Sequence, residues 1–199
     1  MSEPLNGSNL RTIFLLLTRA HYSDSKNFGY LEEQLKCMVW DSDHSKSTLE
    51  IDPLYQYDIN RDNRKPGIYV GNAQPFQFSK IDLASRQGNI ADNSGFFSGH
   101  LVKSSMVFSH VFESPDQASL AADSTTSFFI GIKENLRSKL GLMSFEPQEI
   151  TSPALLEKSP ERFFRVDSTF VIAFNYSVLV NIESHRLKKF VIEFIPEAS

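Results

Sequence analysis

Apolar residues at Leu10, Ile13, Phe14 and Leu17 recur at spacings of three and four, the period of an amphipathic helix. Ser8 or Asn9 is placed to cap its start. After a polar break over 22–29, Leu31, Leu35 and Met38 or Val39 predict a second helix over 30–39. A loop over 41–46 and a short strand over 48–51 follow, the strand ended by Asp52-Pro53. Residues 56–65 are polar and predict a loop. Pro66-Gly67 then opens Ile68-Tyr69-Val70, which reads as a central strand. Residues 75–81 predict another strand, at an edge because of Pro75.

Residues 82–95 contain Gln87-Gly88-Asn89 and Asp92-Asn93-Ser94-Gly95, a long polar loop or the tip of an extended hairpin. Loops of that length are usually functional or disordered. Residues 99–112 then alternate, with Val102, Met106, Phe108 and Phe112 in one phase and Ser104 and His110 between them, so a long strand with one largely apolar face is expected.

Ser114-Pro115-Asp116-Gln117 carries a helix start, with Ser as N-cap, Pro at the first helical position and Gln at the third. Ala118, Ala122, Thr125, Phe129, Ile132, Leu136 and Leu140 recur with helical period, and Gly141 is placed to close the helix. The predicted helix runs over 115–140, about 39 Å at the usual rise. Residues 144–151 predict a strand interrupted by Pro147, and 153–158 a helical turn. From Val166 to Ile182 the chain alternates again. A turn over 183–186 and Phe190, Ile192 and Phe194 complete a C-terminal antiparallel hairpin.

These elements predict an α+β fold: a mixed, mostly antiparallel sheet with a long C-terminal hairpin, packed by one long central helix and N-terminal helices over 8–39. No Pro/Gly/Ser-rich linker separates two apolar halves, so residues 1–199 are expected to form a single domain with a loop or hairpin arm over 82–98. The composition, 41% hydrophobic and 22% charged, is that of a globular chain. The 17 Phe against one Trp suit a sheet-rich core or a large apolar interface, because Phe buries area without needing a hydrogen-bond partner.

Net charge is −4, whereas gripping nucleic acid through its phosphates calls for a Lys/Arg excess. Cys37 stands alone, which excludes an intrachain disulfide and a multi-Cys zinc site. Residues 1–9 carry Glu3 and no basic stretch, and the run Ile13 to Leu17 is too short for a signal core or a membrane span, so a cytoplasmic location is expected.

No catalytic constellation emerges. Asp58, Asn60 and Asp62 begin like a calcium-binding loop, but Asn63 stands where that loop needs Gly and Tyr69 where it needs Glu. The five histidines show no metal-ligand spacing, and His100 and His110 lie about 33 Å apart along one strand. Ser23-Asp24-Ser25-Lys26 spells SxxK without companion motifs. Cys37 sits on an apolar helix face, where a buried thiol is structural. No metal, cofactor or enzymatic activity is therefore predicted, and the remaining features are surfaces. Phe96 and Phe97 are adjacent, so one of them faces away from its own core; it packs under the loop or docks on a neighbouring subunit. Tyr55 and Tyr57 face the same choice.

The order of elements resembles the tail-terminator and neck-connector proteins of long-tailed phages. The likeness rests on Arg64-Lys65-Pro66-Gly67-Ile68-Tyr69-Val70, on the long hairpin after it, on Ser114-Pro115-Asp116-Gln117-Ala118 at the helix start, and on strands of the Arg165 to Val180 kind. It covers most of the chain as a pattern of elements rather than a strict motif. The resemblance implies a structural virion protein without catalytic residues. Such a protein forms a homo-oligomeric ring, commonly a hexamer, that caps the tail tube and joins it to the neck, with DNA passing through the lumen unbound. The implied locations are the virion and, during assembly, the host cytoplasm. Candidate inter-subunit contacts are Arg86, Asn89, Asp92, Phe96, Phe97, Tyr55 and Tyr57. The alternatives are another head–tail adaptor or a tail tube subunit, and after them a small-molecule enzyme of unknown class.

Overall fold

The computed structural model describes residues 7–27, 38–56, 65–72, 77–78, 95–156 and 162–181. Along the chain, α1 (Gly7–Tyr22) leads to β1 (Glu50–Pro53), a 3₁₀ turn (Leu54–Gln56), β2 (Gly67–Asn72), β3 (Gln77–Phe78) and β4 (Gly95–Phe112). Then come α2 (Pro115–Gly131), α3 (Lys133–Leu140), β5 (Leu142–Ile150), β6 (Ala154–Leu155) and β7 (Phe164–Asn181). The seven strands form one sheet in the order β1-β2-β4-β7-β5, with β3 added to β4 and β6 added to β7. Only β1 and β2 pair in parallel, so the sheet is mixed and mostly antiparallel, and the α+β class holds. The expected helix over 30–39 and the expected strand over 190–194 lie outside the described residues, except that 38 and 39 are irregular.

The helices cover one face of the sheet. Leu10, Phe14, Thr18 and Tyr22 recur every four residues along α1, and all are buried. Beneath them lie Ile68, Val70, Val102, Met106, Phe108, Phe112, Val166, Phe170, Ile172 and Phe174, in one alternating phase of their strands. Phe14, Phe108, Phe129, Phe145 and Phe170 bring α1, β4, α2, β5 and β7 together. Their ring centroids lie 4.8–6.2 Å apart, in edge and stacked contacts. Such pairs add about 0.5–1.5 kcal/mol each beyond the area they bury.

The expected long helix is interrupted. Ile132 has φ −100° and ψ 6°, outside the helical region, and divides α2 from α3. Gly131 before it is among the poorest helix formers and meets nothing within 4 Å of its missing Cβ, so no packing enforces regularity there. The hydrogen-bond ladder survives: Ile132 N–H donates to Phe128 O at 3.1 Å, and Leu136 N–H to Ile132 O at 3.0 Å. Ser114 and Pro115 start α2 as expected, without a side-chain cap bond, and Gly141 closes α3 at φ 64° in the left-handed region.

Three further expectations change. Ile68-Tyr69-Val70 is flanked on both sides, by β1 and β4, but the middle place in the strand order falls to the much longer β4. The helical turn expected from residue 153 is instead a strand at Ala154–Leu155, because pairing with Arg165 and Phe164 of β7 satisfies its backbone. The second phase of β4 is also buried: Val107, Ser109 and Val111 lie on the face away from the helices. There Val111, Tyr69 and Phe163 make a small second cluster, with Leu54 and Leu156 packed against it.

Candidate functional site

Three places carry unusual features. The first is the ribbon of β4 and β7, which pair without a break from Phe112↔Phe164 to Gly95↔Asn181. Their other neighbours stop early. β2 ends at Met106, β3 reaches only Val102, and β5 reaches only Phe174. The seven pairs from Leu101↔Asn175 to Gly95↔Asn181 therefore form a two-stranded ribbon with no third strand among the described residues. It spans about 20–25 Å at strand rise. Phe96 and Phe97 lie in it opposite Val180 and Leu179. They belong to the strand itself and not to the end of a loop. Phe78, on the short β3 at the root of the ribbon, is 58% exposed.

The second place is the turn after β1. Gly71 permits it: a Cβ there would stand 2.6 Å from Leu54 Cβ, so only glycine lets the turn lie against β2. The turn presents Tyr55, 68% exposed, and the Arg11 guanidinium of α1 sits over its ring at 4.9 Å from the centroid. Arg11, Leu54, Tyr55 and Gly71 line an open cleft of about 320 Å³. Arg11 lies on the polar side of an amphipathic helix, and nothing in the sequence links it to an aromatic residue in another element.

The third place is a buried polar network. His110 Nδ1 lies 3.1 Å from Val166 O, an acceptor only, so Nδ1 carries the proton and Nε2 accepts. Thr125 Oγ1–H then donates to Nε2 at 2.9 Å. The Tyr22 hydroxyl donates its one proton to Ala121 O at 3.0 Å and lies 3.1 Å from Thr125 Oγ1, which closes the network. Beside it, His21 Nε2 lies 3.1 Å from Ser124 Oγ, and its ring stacks on Phe128. Burial pushes both imidazoles down to about 4, although for His110 the Val166 bond and the Asp167 charge pull the other way. His110 has no exposed surface, so this network ties α1, α2 and β4 together and offers no seat for a substrate.

The candidate contacts thus separate. Tyr55 stands beside Gly71, which pairs with Val107, ten positions along β4 from Phe97 and roughly 33 Å away along the strand. Tyr57, Arg86, Asn89 and Asp92 lie outside the described residues. Among the described residues no group of three or more His, Cys, Asp or Glu is placed to hold a metal, and no helix is long and apolar enough to cross a membrane. A scan against protein-family models finds no match for the chain, and a comparison with curated proteins finds none.

Proposed function

We propose that this chain is a structural protein of a tailed phage. It forms a homo-oligomeric ring, a hexamer, at the head-proximal end of the tail, caps the tail tube and joins it to the neck. The observation that carries the reading is the ribbon. Two strands alone are marginally stable in water, and with no third strand beside it among the described residues the ribbon suits packing against a further surface. A neighbouring subunit in a ring supplies that surface repeatedly, and a heterologous contact that closes on itself fixes the number of copies. The exposed Phe78 at the ribbon root and the element order of the connector proteins support the same reading. In this reading the net charge of −4 suits a lumen past which DNA slides without adhering.

The test is the native mass of the purified protein across a concentration series. A single closed ring supports the reading. Long cylinders indicate a tube subunit instead. A monomer at every concentration that also fails to attach to purified tail tubes overturns it. Removing residues 86–94, which precede β4, is expected to abolish ring formation while leaving the circular dichroism spectrum and melting cooperativity unchanged.

A further inference from the structure

Helix α1 carries two arginines held over aromatic rings, and they differ in one respect. Arg19 lies over Trp40, 5.1 Å from the ring centroid, and two of its three nitrogens donate within the fold. Its Nε and Nη2 donate to Ile51 O at 3.0 and 2.8 Å, and Nη2 meets Asp52 Oδ1 at 3.0 Å. Arg11 has the matching aromatic platform in Tyr55, at 4.9 Å. Among the described residues, however, it makes no hydrogen bond and no ion pair. Where Arg19 meets a carbonyl and a carboxylate, Arg11 opens onto the cleft of about 320 Å³ that it lines with Leu54, Tyr55 and Gly71.

We propose that this cleft is a carboxylate-binding site, which takes an acid group carried on an apolar or aromatic body. The guanidinium presents its donors in a planar fork that matches the two oxygens of a carboxylate, the pairing that Asp52 partly supplies to Arg19. A single cation suits a singly charged anion. Leu54 and the Tyr55 ring add apolar wall, which favours an organic acid over a hydrated phosphate. The ring also fixes the guanidinium before binding, so less side-chain freedom is lost when the acid arrives. Gly71 sets the floor, since any larger residue would push Leu54 out of place. Two sources present this chemistry: an acidic side chain of a second copy of the chain, which carries 24 Asp and Glu, or a free organic acid.

The test uses the full chain with benzoate as the probe, read on the Arg Nε–H signals by NMR. Benzoate is expected to shift the Arg11 signal saturably and leave the Arg19 signal in place. Benzamide, which has the same shape without the charge, should bind far more weakly. The R11Q variant, in which the Arg11 signal is gone and binding is followed by the line widths of the benzoate protons instead, should weaken benzoate binding by about tenfold or more, with an unchanged melting temperature. No saturable shift at Arg11, or equal binding by benzamide or by R11Q, overturns the proposal. Raising the protein concentration without benzoate separates the sources. Movement of the Arg11 signal, reversed by benzoate, assigns the acid to a second copy; a stationary signal in the presence of benzoate binding assigns it to a free acid. The site does not depend on the ring reading, because benzoate binding is read whatever the native mass.

Discussion

At the scale of single residues, the His110 imidazole links three elements, with bonds to the β7 backbone and to Thr125 of α2, which in turn meets Tyr22 of α1. The linkage is made by the neutral ring. Because the folded-state values of His110 and His21 fall to about 4 from an ordinary 6.5, the unfolded chain takes up protons first as pH drops. Stability from these groups is complete above pH 6.5 and is lost as pH falls from 6.5 toward 4, by roughly 3 kcal/mol for His110. Urea midpoints measured at steps between pH 7.5 and pH 4 should fall through that window, and H110Q should flatten the decline while lowering stability at pH 7.5. Ser168, directly opposite Phe108 and 1% exposed, has a hydroxyl without a hydrogen-bond partner among the described residues. Replacing it by Ala removes an unsatisfied group, and S168A should raise unfolding stability by about 1 kcal/mol in denaturant titrations.

Each element is shaped by what lies beside it. The interruption at Ile132 lets α2 lie over β4 and β7 while α3 turns to β5, where Lys133 pairs with Glu146. Two edges of the sheet differ in kind. β1 has four residues and ends at Pro53, while β5 is longer but broken by register shifts on either side of its middle, at Leu142/Ser144 and Pro147/Glu149. Short strands, bulges and Pro on an edge hinder uncontrolled strand addition at both of these edges. The turn after β1 depends on Gly71. G71A should force Leu54 away, lower stability by about 1–3 kcal/mol in a thermal or urea melt, and weaken benzoate binding beside Arg11 as well.

For the whole molecule, the helical layer, the sheet and the ribbon have distinct tasks. The layer buries the five-Phe cluster, and the ribbon extends beyond it as the surface to which the proposed ring contact is assigned. If the ribbon makes the proposed ring contact through Phe96, Phe97, Leu179 and Val180, association should persist at high salt, because screening weakens only charge contacts. The cleft beside Arg11 should behave oppositely, with benzoate affinity falling as salt is added. Light scattering and the benzoate titration at 50 mM and at 1 M salt separate the two surfaces, an expectation that follows from a screening length about four- to fivefold shorter at the higher concentration.

The alternation of Val102 to Phe112 and of Val166 to Phe174, the period of Leu10 to Leu17, and the Ser114-Pro115 and Gly141 boundaries were legible in the sequence. Each follows from backbone geometry within one segment: side chains repeat every two residues on a strand and about every 3.6 on a helix, while Pro and Gly restrict or free φ locally. Tertiary structure alone decided the rest. That residues 154–155 join β7 and that both faces of β4 are buried depend on partners distant in the chain. So does the chemistry. Tyr55 stood out in the sequence as an aromatic that packs under its loop or docks on a neighbour, but the arginine over it is 44 positions away, and the glycine that seats its turn lies on another strand. Periodicity records which way a residue faces; it carries no term for which residue of another element it will meet.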